Sequence, residues 1–212
     1  MSREISEEAL ADHLLGFDPA RRIICAVAGA PGSGKSTLAE ALVARLNAAE
    51  PGTAEVFPMD GFHYDDLYLV PAGLRPRKGA PDTFDVGGLA STLARLRANE
   101  EDNVAVPVFD REIEIARAGA RLIDRSVRIL VAEGNYLLLD RPPWTALRAF
   151  FDVTVTLDVP EEVLRDRLGA RWKGFQLSAA EIADKVEEND LPNGRLVREH
   201  GATADFVIRY RD

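Results

Sequence analysis

Residues Gly29-Ala30-Pro31-Gly32-Ser33-Gly34-Lys35-Ser36-Thr37 satisfy the spacing G-x-x-x-x-G-K-[ST]. Glycines at these points let backbone N–H groups close around phosphate oxygens, and a helix opening behind them adds its partial positive charge. Lys35 is then placed to reach β- and γ-phosphates, and the Ser36 hydroxyl to ligate Mg²⁺. The context supports this chemistry: the run follows the apolar stretch Arg22–Ala28 and precedes a helical pattern with Leu38, Ala41, Leu42 and Leu46 on one face. The residues predict a nucleoside-triphosphate cradle. No Asn-Lys-x-Asp guanine reader occurs in the sequence, which leans the donor toward ATP, and no Leu-Ser-Gly-Gly segment of a transporter ATPase is present.

Two carboxylates close apolar runs: Asp60 after Ala54–Met59, and Glu133 after Val127–Ala132. Ligands of open α/β sheets sit at the carboxyl ends of the strands. There Asp60 can take the proton of a hydroxyl attacking the γ-phosphate; as Asp60-Gly61 it can equally form a plain turn. Glu133 fits a carboxylate that supports Mg²⁺ directly or through water. Asp65 and Asp66 read as helix-start residues, and His63 as either an acceptor contact or an ordinary polar loop residue.

A third set is basic. Arg165, Arg167, Arg171 and Lys173 follow Pro160, and Gly169 is expected to break the helix and hinge a lid over about 165–194. Such cations would stabilise charge on the transferring group, and closure would exclude water. The alternative is a solvated basic helix paired with Glu161, Glu162 and Asp166.

These groups need a frame. Strand candidates Ala54–Met59, Val104–Val108, Val127–Ala132, Val153–Val159 and Phe206–Tyr210 are interspersed with helical patterns at Val86–Ala98, Trp144–Phe150, Pro160–Leu168 and Ser178–Asn189, after a first amphipathic helix over 6–16. The order predicts an α/β three-layer sandwich, a parallel sheet with helices on both faces and a small helical lid, as one domain over 1–212. Residues 110–126 read as an edge hairpin or irregular loop, and 174–176 and 191–194 as loops. No apolar run approaches ~20 residues. The first residues lack a secretory layout, and the lone Cys25 reads as a buried thiol, so the cytoplasm is expected. The 26 Lys and Arg against 35 Asp and Glu leave a net charge of −9, which argues against nucleic acid or anionic membrane as partners. Expected partners are ATP and a small molecule, with a homodimer left open.

Further segments occur in order around the phosphate loop: Pro58-Met59-Asp60-Gly61-Phe62-His63, Arg77-Lys78-Gly79-Ala80-Pro81-Asp82-Thr83-Phe84-Asp85, Val106-Pro107-Val108-Phe109-Asp110 and Val131-Ala132-Glu133-Gly134-Asn135-Tyr136. With them the chain resembles the P-loop kinase family of uridine kinase, phosphoribulokinase and bacterial pantothenate kinase. Within it, the chain resembles the bacterial subgroup labelled fructose transport system kinases or nucleoside kinase-like proteins. The resemblance covers most of residues 20–210. It implies that Asp60 is the catalytic base, that Lys35 and Ser36 hold ATP·Mg²⁺, that Glu133 assists the metal, and that the segment from Arg165 is the lid. It also implies an acceptor site among Asp60, His63, Tyr64, Arg77, Lys78, Phe109 and Arg111.

Two departures bear on the acceptor. Uridine kinases carry an Asp that holds ribose where this chain has Gly79, and a base-reading His where it has Glu114. Uridine is therefore not the expected acceptor, and two cations, Arg77 and Lys78, suit an anionic or polyhydroxyl one. The expectation is an ATP- and Mg²⁺-dependent kinase phosphorylating a hydroxyl of a sugar such as fructose, a pantothenate-like acid or a nucleoside. The alternative is a nucleotide-binding regulator with slow ATP hydrolysis, which would need neither Asp60 nor a lid.

Overall fold

Eight strands form two sheets in the computed structural model, which describes residues 2–175 and 177–210. They are β1 (Arg3–Glu4), β2 (Ile23–Gly29), β3 (Ala54–Pro58), β4 (Asn103–Asp110), β5 (Ile115–Asp124), β6 (Ile129–Gly134), β7 (Val153–Asp158) and β8 (Phe206–Arg209). Six of them make one all-parallel sheet in the order β1-β8-β7-β2-β6-β3. β2, which leads into the phosphate loop, lies inside this sheet and every one of its residues is buried. A continuous apolar run is what a strand covered on both faces requires.

The two faces follow the strand period of two. Ile24, Ala26 and Ala28 enter one core cluster, while Ile23, Cys25 and Val27 enter the other. The second cluster is completed by α1 (Glu7–Leu15) and α2 (Lys35–Ala49) through Leu10, Leu14, Leu38, Leu42 and Leu46. Beyond the short α3 (Asp66–Leu69), α4 (Val86–Ala98) supplies Leu89, Leu93 and Leu96 to the first cluster. Burial pushes the Cys25 thiol up to about 12, so it is inert packing. Arg22 is buried too, and its guanidinium donates to the carbonyls of Leu96, Asp124, Arg125 and Val127, fixing where β2 begins.

Several expectations need correcting. Val104–Val108 is a strand, but it stands outside the parallel sheet: β4 pairs antiparallel with β5, and the register slips at Pro107. Pro107 has no N–H to give a ladder, which suits a bulge. Residues 110–126 accordingly supply the return strand of a hairpin. Trp144–Phe150 is 3-10 rather than α-helical. Gly169 does not break its helix, because α5 runs unbroken over Glu161–Lys173, with Leu164 and Leu168 buried one turn apart. Residues 191–194 are not a loop but the first turn of α7 (Leu191–His200), with Pro192 in the first turn, where its missing N–H costs nothing. Between α5 and α7 lie α6 (Ala179–Ala183), started by a Ser178/Glu181 capping box, and a π-helical stretch over Asp184–Asp190. Val159, Leu164, Leu168, Val186 and Leu191 form a third, separate cluster that holds this helical layer together. Of the predicted loop 174–176, Gln176 lies outside the described residues. Among the described residues no helix is long and apolar enough to cross a membrane.

Candidate active site

The carboxyl ends of β2, β3, β6 and β7 open into one cleft of about 1310 Å³. Pro31 through Thr37 line it, with Gly34 in the left-handed region (φ 92°) immediately before α2 begins. Gly29 ends β2 and Ala30 stands behind the wall; the Ala30 carbonyl accepts from Lys35 Nζ at 2.9 Å. The Ser33 hydroxyl is buried and has no hydrogen-bond partner among the described residues. Such an orphan is costly unless a ligand completes it.

Lys35 is only 8% exposed, and burial lowers its pKa to about 8 against the pull of Glu133 and Asp60, with Arg171 and Arg111 adding to the lowering. A triphosphate must hold this ammonium charged. At pH 8, with metal chelated, ATP binding is therefore expected to take up about half a proton, and affinity to fall as pH rises further. Calorimetry in buffers of different ionisation enthalpy measures this; zero uptake would contradict it.

Glu133 is buried at the end of β6, where burial and then the charge of Asp60 raise its pKa while Lys35 and a hydrogen bond from Ser36 oppose the rise. Asp60 sits in the 3-10 turn Met59–Phe62 that follows β3. Burial works against its charge, but His63, Arg111 and Lys35 together hold the carboxyl below its ordinary value. Arg111 Nη2 donates to Asp60 Oδ2 at 2.6 Å. His63 is packed against Phe84 and Phe109 (ring centroids 4.0 and 4.7 Å), and its Nδ1 donates to the Asp60 carbonyl at 2.7 Å. Burial lowers the His63 pKa.

The remaining predicted residues divide. Arg77 lies exposed on the cleft wall, and its guanidinium has no hydrogen bond or ion pair among the described residues. Lys78 lines the cleft too, but its Nζ is engaged at 2.7 Å by both Asp66 Oδ1 and the Glu114 carbonyl. Arg75 pairs with Asp66 and Glu114 in the same knot, so Glu114 closes a structural ion pair. Tyr64 is not part of the cleft; its ring packs on Tyr68 at 5.0 Å.

Arg167 and Arg171 face the cleft and Arg165 does not. At 100° per residue, Arg165 stands roughly 120–160° around α5 from the other two. It pairs instead with Glu187 (2.8 Å) and Glu161 (3.3 Å), of which the solvated-helix alternative named only Glu161. Arg167 reaches the Ser33 carbonyl at 3.5 Å and lies 4.9 Å over the Tyr210 ring. The continuous helix leaves the Arg171 guanidinium projecting into the cleft without a hydrogen bond among the described residues, and desolvation and Arg111 lower its pKa. Arg165→Ala is expected to keep kcat/KM within about twofold, whereas Arg171→Ala should cost about 10²-fold; steady-state kinetics on both variants checks the contrast.

Several cleft residues escaped sequence reasoning: Asn135, Trp172, Asn189, Asp190, Asn193 and Tyr210. Trp172 Nε1 donates to Asp190 Oδ2 at 2.7 Å, and Asn193 Nδ2 to Asn189 Oδ1 at 3.3 Å. Asn189 Nδ2 in turn donates to the Lys78 carbonyl at 3.2 Å, tying the helical layer to the Arg77–Lys78 loop. The asparagine pair at i and i+4 was the available signal. The cleft thus holds an anion cradle at one end, a carboxylate beside it, and cations above both.

No protein-family model matches the chain. It is 32% identical over 196 residues to a "putative uridine kinase" of Schizosaccharomyces pombe, covering 89% of this chain and 83% of that protein. It is 28% identical over 209 residues to a pantothenate kinase of Yersinia enterocolitica, covering 93% and 66% respectively. Among solved structures, a "putative fructose transport system kinase" from Silicibacter sp. TM1040 matches with TM-score 0.89 and 42% identity, over 96% of this chain and 98% of that one. With these similarities and the parallel sheet, the chain belongs to the P-loop kinase family of uridine kinase, phosphoribulokinase and bacterial pantothenate kinase, and is a small-molecule kinase.

Proposed function

We propose that the protein transfers the γ-phosphate of ATP to a hydroxyl of a small metabolite, with Asp60 as general base. The observation that carries this reading is the convergence of Lys35, Glu133 and Asp60 on one cleft beside the phosphate loop. The acceptor oxygen forms a bond to the γ-phosphorus, the bond from that phosphorus to the bridging oxygen breaks, ADP leaves, and the hydroxyl proton passes to Asp60. A carboxylate kept anionic suits that role, since in a loose transition state the base chiefly orients the nucleophile. Lys35 exchanges the Ala30 carbonyl for phosphate oxygens. Arg167 and Arg171 balance charge from above, and α5 to α7, acting as a lid, keep water out.

The residues fit Mg²⁺. Ser36 and Glu133, which line the same cleft, are hard oxygen donors. Mg²⁺ beside phosphates needs only one or two protein oxygens, so the absence of a three-residue acidic or imidazole cluster among the described residues is no obstacle. Bound, the ion would neutralise charge on the β- and γ-oxygens.

Incubation with ATP, Mg²⁺ and a library of hydroxylated metabolites, read by mass spectrometry, tests the proposal. A phosphorylated acceptor is the expected result. ATP hydrolysis without any phosphorylated product would favour a nucleotide-dependent regulator instead.

A further inference from the structure

We propose that Arg111 selects the acceptor over water. While the acceptor site is empty, its guanidinium stays on Asp60 and keeps that carboxylate from orienting a water against the γ-phosphate; a seated acceptor displaces it. The inference rests on the kinase reading above, with Asp60 as base, and adds a guard on that base.

The side reaction to be suppressed is hydrolysis. A water oxygen would form the bond to the γ-phosphorus, the bond to the bridging oxygen would break, ADP would leave, and Asp60 would take one water proton. Solvent reaches this base: the side chains of Arg111 and Asp60 are 47% and 22% exposed. The helical layer of α5 to α7, standing as it does here, is therefore not the whole barrier between water and Asp60.

Of the cations lining the cleft, Arg111 is the one placed to guard it. Its Nη2 donates to Asp60 Oδ2 at 2.6 Å, and no other side-chain donor bonds that carboxylate among the described residues. Lys35 Nζ is turned to the Ala30 carbonyl, Lys78 Nζ to Asp66 and Glu114, and Arg167 to the Ser33 carbonyl. Glu133, Asp184, Glu188 and Asp190 line the cleft as well, yet Arg111 forms no ion pair with them among the described residues. The bond takes one oxygen of Asp60, and the adjoining positive charge weakens the pull of the other on a water's proton. Since the base chiefly orients the nucleophile in a loose transition state, an occupied oxygen is a direct obstacle.

Size then separates a metabolite from water. Arg111 directly follows β4, and its guanidinium lies in the cleft 6.0 Å from the Phe109 ring centroid. Asp110 accepts from the Glu112 N–H at 3.1 Å and from Arg117 Nε at 2.7 Å, which pins the start of the turn and leaves the long, half-exposed Arg111 side chain able to swing. A metabolite large enough to rest on Phe109 takes the volume that the guanidinium fills, and its other contacts offset the lost pair. A single water brings no such contacts, so for it the cost of breaking a charge-assisted bond stands. Uncovering of Asp60 is thereby tied to occupancy of the acceptor site.

The test needs no known acceptor. ATP hydrolysis with Mg²⁺ and without any metabolite is measured in wild type, Arg111→Met, Arg111→Lys, Asp60→Asn and the Arg111→Met/Asp60→Asn double variant, and ATP affinity is measured on each by calorimetry. Arg111→Met is expected to hydrolyse ATP ~3–10-fold faster than wild type, the range for losing a partly exposed charge-assisted hydrogen bond, with ATP affinity unchanged within about twofold. Arg111→Lys should restore most of the suppression, because its ammonium can still pair with Asp60. In the double variant the rise should vanish. Hydrolysis in Arg111→Met equal to or below wild type overturns the inference and leaves the kinase standing; a fall accompanied by weaker ATP binding would assign Arg111 to the phosphates instead. A rise that persists in the double variant overturns it too, because the released reaction then bypasses Asp60. Failure of the metabolite library to yield any phosphorylated product overturns the kinase reading and this inference together.

Discussion

Asp60→Asn is expected to lower kcat by ~10²–10⁴-fold, the range for a lost general base, while ATP affinity stays within a few-fold. The amide keeps the shape and can still accept a hydrogen bond from Arg111, so the turn over Met59–Phe62 should persist. It cannot take the acceptor's proton. The nucleotide cradle lies on β2 and α2, separate from this turn, which is why binding and turnover should part company. Steady-state kinetics and calorimetric titration with ATP read the two separately. Undiminished turnover in Asp60→Asn would remove this carboxylate from the mechanism.

Gly61→Ala should produce the second large effect, and from a single methyl group. A Cβ on Gly61 would fall on the carbonyl oxygen and carbon of Pro107, deep inside contact distance, and both of those atoms belong to backbone. Neither side has a rotamer to yield, so the Asp60 turn and β4 must separate. Overpacking of this kind costs about 1–3 kcal/mol, and in a chain of this size each of those shifts Tm by about 2–4 °C. A displacement near 1 Å at the base lowers turnover by ~10²-fold. The expected signature is reduced kcat, modestly lower Tm and preserved ATP affinity. A variant with normal kcat would show that the turn tolerates the displacement.

How much of this could be seen in the sequence varies with the physics of each element. β2 and the phosphate loop were plain, because a doubly covered strand must be apolar throughout and a phosphate nest must place glycine at fixed points. β4 misled because its apolar run looks like a sheet strand, whereas its first four residues alternate exposed and buried and Pro107 interrupts the ladder. Gly169 misled for another reason. Glycine in a helix costs about 1 kcal/mol, less than the burial of Leu164 and Leu168 returns. The difference between Arg165 and Arg171 was legible as an angle about the helix axis, once the helix is known to continue. Asn189 and Asn193 left only the faint signal of their i, i+4 spacing and Asp190 left none, since a polar residue facing a cleft and one facing bulk solvent look alike in sequence.

The hairpin of β4 and β5 hangs outside the parallel sheet, and Arg111 and Glu114 sit in its connecting turn. No strand of the nucleotide half takes a hydrogen-bonded register from it. In the proposed kinase reading, mutations there are expected to change which metabolite is accepted without retooling the ATP machinery. Editing one short loop would then vary the acceptor while leaving the phosphate loop as it is, and laboratory evolution aimed at new acceptors should begin with residues 110–115.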